Sequence, residues 1–347
     1  MTKHWPLTLL LCLLVFSFSG FRPKADPEVI ILTQGIKTSL RGLSVVNDNV
    51  VWVSGSNGLV GRSTNGGKNW NWITVKGFEK KEFRDIEAFD ANTAIIMAVA
   101  EPAYILRTND GGETWKVVFE DKTKGMFLDA MDFATPLHGR VIGDPINGKA
   151  YMAETRDGGN TWQQLTLPHN RLAVDSGEAF FAASGTNIRL FANDDFFIVS
   201  GGRRSRMITD EFVTDLPLLQ GKESTGANSI DVFDDGIPDR PSRRMIVVGG
   251  DFSDKNLKDK NCYYSYDGGK KWKYPKRPPN GYRSCVEFLS KNDVLACGLN
   301  GVDYSADGGK NWEWISKESF HVNRIAKLGT SIYLAGENGK VGKIVWK

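Results

Sequence analysis

The sequence predicts an all-β protein: a single seven-bladed β-propeller of four-stranded blades, its ring closed by the N-terminal strand. Three observations lead there. An octet recurs as STNGGKNW (Ser63–Trp70), TNDGGETW (Thr108–Trp115), TRDGGNTW (Thr155–Trp162), SYDGGKKW (Ser265–Trp272) and SADGGKNW (Ser305–Trp312). The closing tryptophans are 45, 47, 110 and 40 residues apart, a period proper to propeller blades and other arrays. Strand-like runs are also left over at both ends, VIIL at Val29–Leu32 and SIYLAGENGKVGK at Ser331–Lys343.

Each octet reads as a hairpin corner. Asp or Asn at the third position bonds its own backbone two residues on, and the Gly-Gly pair tolerates positive φ, so the chain turns tightly between antiparallel strands. The leading Ser or Thr ties the turn down, and the closing Trp supplies an apolar plate for the neighbouring sheet. A calcium or sugar site at each Asp is the weaker reading of the same residues. The pattern resembles the Asp-box, or BNR, repeat of sialidases and of many non-enzymatic β-propellers, which implies architecture rather than activity.

Taken in order, Met1–Gly20 reads as a secretory signal peptide. Lys3 gives a positive start, Leu7–Phe18 is an apolar run, and Ser17 and Ser19 are small residues suited to cleavage. The run is too short to span a bilayer. Cys12 follows Leu11, where lipid attachment calls for Gly, Ala or Ser. The expectation is an exported protein, periplasmic or secreted, whose residues 21–347 form one domain without a transmembrane segment and act as a monomer.

The chain of 347 residues has 44 Lys and Arg against 41 Asp and Glu, a net +3. That balance argues against a nucleic-acid footprint. No linker of low complexity divides the chain.

The 110-residue step hides a blade. Ser205 and Phe212 fit the first and last octet positions, with Met207 and Thr209 replacing Asp and Gly, so a degenerate fourth copy is expected there. Six blades follow. Ser331–Lys343 matches Val50–Arg62, VVWVSGSNGLVGR, class for class, which adds a seventh. That last blade ends before a fourth strand, and an unpaired edge is a liability. Val29–Leu32 beside the strand around Val341–Val345 removes it.

Every blade starts with a short inner strand: LRGLSVV (Leu40), FRDIEAF (Phe83), FLDAMDF (Phe127), GTNIRLF (Gly185), ANSIDVF (Ala227), YRSCVEF (Tyr282) and VNRIAKL (Val322). Inner strands converge on the channel. Their polar starts make Arg41, Arg84, Asp85, Asp129, Asn187, Asn228 and Arg283 the candidate partner- or ligand-binding residues at one mouth. The competing account is ion pairing between blades. The corners at Glu101-Pro102, Gly143-Asp144-Pro145 and Gly249-Gly250-Asp251 all follow second strands and are expected on one rim, and Ser184–Asn187, just before the fourth inner strand, is another corner able to present backbone donors. Asp234–Asp239, DDGIPD, lacks the EF-hand spacing and reads as a solvated turn.

The four histidines show no metal-ligand spacing, and neither a Gly-x-Gly-x-x-Gly nor a Gly-x-Ser-x-Gly element occurs. No cofactor, metal or catalytic residue is therefore assigned. Across residues 21–347 the sequence is similar to the photosystem II stability/assembly factor family and its non-photosynthetic relatives, most visibly in SLRGLSVVNDNVVWVSGSNGLVGRSTNGGKNW, Ser39–Trp70. The resemblance implies a non-enzymatic, protein-binding scaffold or assembly factor that uses surface arginines, here Arg41, Arg84 and Arg283. The rival is a glycan-binding or sialidase-like hydrolase, in which three arginines hold a carboxylate. Against it, Phe21-Arg22-Pro23 lacks the Ile of the sialidase segment, and no acid–nucleophile pair is identifiable, although Asp85, Glu87, Asp129 and Glu178 are available.

Three cysteines follow the signal. Cys285 and Cys297 lie equally far from the turn at Lys291, so antiparallel register places them opposite each other, as a disulfide or as two buried thiols; Cys262 is the odd one.

Overall fold

The computed structural model describes residues 26–167, 171–235 and 243–347. The expected signal peptide, Cys12, Phe21-Arg22-Pro23 and most of Asp234–Asp239 lie outside them. Among the described residues there are strands and no helix.

Seven sheets form the ring. Blade 1 is β2 (Leu40–Val45), β3 (Val51–Gly55), β4 (Leu59–Ser63) and β5 (Asn71–Thr74); blade 2 is β6 (Phe83–Ala88), β7 (Ala94–Ala98), β8 (Ala103–Thr108) and β9 (Lys116–Asp121). Blade 3 is β10 (Leu128–Phe133), β11 (Gly139–Ile146), β12 (Lys149–Thr155) and β13 (Gln163–Gln164). Blade 4 holds β15 (Ile188–Leu190), β16 (Phe196–Val199), β18 (Arg206–Thr209) and β19 (Val213–Asp215). Blade 5 holds β20 (Thr225–Val232), β21 (Met245–Asp251) and β22 (Cys262–Ser265), its outermost strand reduced to the bridge between Tyr264 and Lys273. Inside β20 the same sheet also carries β17 (Gly201–Gly202) and β14 (Glu178–Ala179). Blade 6 is β23 (Cys285–Phe288), β24 (Val294–Gly298), β25 (Gly301–Ser305) and β26 (Glu313–Ser316).

Blade 7 is β27 (Val322–Ile325), β28 (Ile332–Ala335), β29 (Val341–Trp346) and, outermost, β1 (Pro27–Thr33). The N-terminal strand pairs antiparallel with the C-terminal one, Val29 opposite Ile344 and Ile31 opposite Gly342. The expected closure is therefore present, and seven blades result.

Second strands such as VWVSG (β3), AIIMA (β7) and VLACG (β24) are buried at every position. Blades stack on both faces of them, so they read as continuous apolar runs, whereas fourth strands such as β13 face solvent. The core is a series of layers between blades: five clusters join blades 1–2, 2–3, 3–4, 4–5 and 5–6. A sixth joins blades 6, 7 and 1, with Val29 and Leu32 packed against it.

The octets build these layers. In each, the leading hydroxyl meets the Asp or Asn side chain and accepts the second glycine's amide, as Thr108 does from Gly112 at 3.0 Å. The carboxylate then caps the amide four residues on, as Asp307 does for Asn311 at 2.9 Å. Both glycines have positive φ in every octet. A Cβ on the second would strike the preceding blade, at Ile73 for Gly112, Ile95 for Gly159, Met207 for Gly269 and Ile246 for Gly309. The Gly-Gly pair thus serves both the turn and the stacking of one blade on the last.

Blade 4 departs from the expectation. Its corner is only Thr209–Phe212, and Thr209 Oγ1 accepts the Glu211 and Phe212 amides at 3.2 and 2.9 Å. Thr209 therefore stands where the octet begins, and Ser205 lies just before β18, its hydroxyl donating to Ser200 O at 2.7 Å. Cys285 and Cys297 are register partners as expected, and both are free thiols, as is Cys262.

Candidate functional site

The inner edge of each blade exposes backbone amides to the channel, and each needs an acceptor. Side chains of the preceding blade supply it. Ser44 accepts the Ala88 amide at 3.0 Å, Asp132 that of Leu190 at 2.7 Å, Asp231 that of Phe288 at 2.6 Å and Glu287 that of Ile325 at 2.9 Å. One step nearer the mouth, Asp85 accepts the Met131 amide at 2.8 Å and Ser229 that of Val286 at 3.0 Å. Arg189 sits 3.1 Å from Asp231, and Lys327 pairs with Glu87. Burial raises the carboxyls of Asp85, Glu87, Asp231 and Glu287, the last to about 8, against the pull of Arg324, Lys327 and Arg189.

At the mouth the inner strands bulge. Register shifts leave Arg41, Arg84, Asp129 and Asn228 as the extra residues of blades 1, 2, 3 and 5. A bulge re-aims its side chain out of the ladder, here toward the channel. Counting back from the last strand pair puts Thr186, Ser284 and His321 at the same place in blades 4, 6 and 7.

A segment between blades 3 and 4 crosses this mouth. Glu178 anchors it, gripped by Arg206 through both carboxylate oxygens at 2.9 and 2.6 Å. Phe180 N donates to Asp144 Oδ1 at 3.0 Å in blade 3, and Arg41 Nη1 donates to Ala183 O at 3.3 Å from blade 1. Ser184 donates to Ser284 O at 2.7 Å in blade 6 and its carbonyl accepts Arg324 at 3.0 Å from blade 7. The Ile230 amide of blade 5 reaches Thr186 O at 2.9 Å, and Gly185 rests on Asp85 of blade 2. The segment is a plug, making the channel blind from this side.

Above the plug lies a cavity of about 380 Å³. Arg41, Arg84, Asn228, Ser284 and His321 line it with an apolar wall of Phe127, Phe180, Phe181, Phe252 and Tyr282. Burial and the neighbouring Arg84 lower the Arg41 pKa, so the two guanidinia repel across the site. Burial, Arg41 and Arg84 hold His321 down to about 3, a neutral imidazole whose Nδ1 lies 3.0 Å from Leu40 O. Arg84 forks onto Glu82 at 2.8 and 2.6 Å and lies over the Phe127 ring. Tyr282 donates to Asn228 Oδ1 at 2.7 Å. Behind the wall, burial and the adjacent Asp144 raise Asp129 well above the carboxylate range. The arrangement suits an anionic group carried on an apolar body.

Of the residues expected at the mouth, Arg41, Arg84 and Asn228 line the cavity together. Asp129 is fully buried behind it, Asn187 is buried with its amide toward Phe181 O at 3.3 Å, and Asp85 sits beneath the plug. Arg283 is elsewhere: fully buried, it pairs with Asp303 and donates to Asn300 Oδ1 at 2.6 Å within blade 6. Ser284 holds the mouth position in its stead, because YRSCVEF ends on its last paired residue, Phe288, whereas LRGLSVV and FRDIEAF end one residue past theirs, Val45 and Ala88. His321, Tyr282 and the phenylalanine wall were not anticipated. One signal for the plug was available: Trp162 and Ile188 are 26 residues apart, where the corresponding step is 13 from Trp70 to Phe83, Trp115 to Leu128 and Trp272 to Cys285.

Fold and site define an all-β, seven-bladed propeller with a plugged channel and a cationic, aromatic-walled cavity at its mouth. No family model matches the chain, and no curated protein does. Solved structures do. YCF48 bound to D1 peptide is 17% identical over 92% of this chain and 97% of its own, with a TM-score of 0.61. YCF48 from Cyanidioschyzon merolae is 15% identical over 91% and 98%, with a TM-score of 0.64. The WD40 propeller domain of Doa1 is 12% identical over 93% and 98%, with a TM-score of 0.60. The likeness is one of fold.

Proposed function

We propose that this chain is an exported protein-binding propeller, an assembly or stability factor that receives an extended segment of a partner protein in the mouth cavity. The observation that carries the reading is the convergence of Arg41 and Arg84 on one apolar cavity. A carboxylate entering there relieves the repulsion between the two guanidinia, while apolar side chains fill the space walled by Phe127, Phe181 and Tyr282. The plug makes the site a blind cup. A propeller of the same fold, YCF48, is described as bound to a D1 peptide, which supports a peptide as the kind of ligand. Export rests on the signal-like Met1–Gly20 alone.

The glycan-active alternative has less support, because Arg283 is engaged with Asp303 and, among the described residues, two arginines rather than three line the mouth cavity. The test is a pull-down from the exported fraction with the intact chain beside an Arg41→Ala, Arg84→Ala double variant of unchanged Tm. A protein captured only by the intact chain supports the reading. Sialidase turnover or glycan-array binding lost in the same variant, with no protein captured, overturns it.

A further inference from the structure

Residues 254–277 carry eight Lys and Arg against three Asp, a net +5. The whole chain is +3, so the remainder, +3 less +5, is −2. Five of the eight cations, Lys270, Lys271, Lys273, Lys276 and Arg277, lie along the outer rim between blades 5 and 6, whereas Lys255 sits by the mouth, its carbonyl accepting the Tyr282 amide at 3.0 Å. Lys273 is the bridge that forms the outer strand of blade 5, and the next segment runs along the last octet, Lys276 N donating to Lys310 O at 2.9 Å. Three cations from three segments share the ring of Tyr266: Arg244 at 4.7 Å, Lys310 at 5.7 Å and Lys273 at 5.9 Å.

Asp234 and Asp235 stand beside Arg244 and Tyr266 and offset part of this charge, but the acids nearest the lysines are engaged elsewhere. Asp267 and Asp307 are held in their turns by the Lys271 and Asn311 amides, and Glu313 meets Arg277 at 3.4 Å. Lys270, Lys271, Lys273, Lys276 and Lys310 are exposed, and none forms an ion pair among the described residues. Among them stands Tyr274, 43% exposed, its ring 5.3 Å from that of Tyr263 and its hydroxyl donating to Lys258 O at 3.1 Å.

We propose that this rim docks on an anionic lipid bilayer surface. Exposed lysines on long flexible stems, spread over several segments, suit a laterally extended charged plane better than a single anion needing a guanidinium fork. Lysine is depleted from the cores of protein interfaces, which disfavours an acidic protein. Tyr274 leans on Tyr263 and is the one exposed large ring of residues 254–277, so successive bases find no row of stacking faces, which disfavours single-stranded nucleic acid. An amphipathic tyrosine between lysines fits the headgroup layer.

The experiment is flotation of the full chain with phosphatidylcholine vesicles, with and without phosphatidylglycerol, beside a Lys270→Glu, Lys271→Glu, Lys273→Glu, Lys276→Glu variant of matched Tm. Binding should require the anionic lipid, fall steeply with salt and drop at least about a hundredfold in the variant. Equal binding to neutral vesicles, or binding that the variant retains, overturns the proposal. So does retention on a soluble polyanion such as heparin without any vesicle binding, which would make the rim a polyanion site instead.

Discussion

The α-carbon of Gly185 lies directly on the carboxylate of Asp85, so that a Cβ at position 185 would collide with both carboxylate oxygens. Gly185 also has φ +67°, a conformation that costs any other residue. Plug and blade 2 are thereby locked at a point with no room to yield, since Asp85 already accepts the Ile86 and Met131 amides. Gly185→Ala is expected to cost about 3 kcal/mol, read as a lower urea midpoint at unchanged m-value, and to abolish partner capture. A loss of only about 1 kcal/mol, the ordinary Gly-to-Ala cost at positive φ, would show that the plug is not seated on Asp85.

Much of this was legible in the sequence, for identifiable reasons. The blade count could be read because the octets place a tryptophan at a fixed distance from a glycine pair that stacking requires. Closure could be read because Val29–Leu32 had no other partner. The site was half legible. Arg41, Arg84 and Asn228 stand at strand starts in the expected frame, but Arg283 was one residue out of it, and a single-residue slip sends a side chain to the opposite face. The plug was beyond local pattern, since Ala182 to Thr186 owe their conformation to six other blades rather than to their own sequence.

The octet carboxylates give a prediction that separates turn from metal site. Asp307 accepts the Ser305 hydroxyl at 2.9 Å, the Lys310 and Asn311 amides at 3.0 and 2.9 Å and the Asn311 side chain at 2.7 Å, which leaves the carboxylate fully engaged. Asp307→Ala is expected to destabilise by about 1–2 kcal/mol. EDTA should leave the Tm of the wild-type chain unchanged, and a fall on chelation would give the octets to calcium.

Ring closure can be tested by truncation. A chain begun at Thr33 lacks β1 up to Leu32, so β29 becomes an open edge and Val29 and Leu32 are lost from the layer joining blades 6, 7 and 1. Neighbour interfaces carry repeat folds. Thermal unfolding should drop by about 10 °C or more relative to a chain begun at Asp26. An equal Tm for the two chains would refute closure by β1.

The last prediction concerns Glu287. Its carboxyl is buried in the channel facing Arg324, Asp231, Cys285 and Arg189, and burial raises it to about 8, against the pull of Arg324 and Arg189. In the unfolded chain it titrates near the ordinary carboxylate value of about 4.3. Between those two values the folded protein keeps a proton that the unfolded chain releases, so this group's contribution is whole below the lower value and is lost as pH rises through the upper one. Glu287→Gln keeps an oxygen for the Ile325 amide and removes the titration. The urea-unfolding free energy of wild type should therefore decline relative to the variant from about pH 5 to about pH 8, by up to about 1 kcal/mol per pH unit. A constant difference across that range would mean that Glu287 is ionised in the folded channel, its charge carried by Arg324.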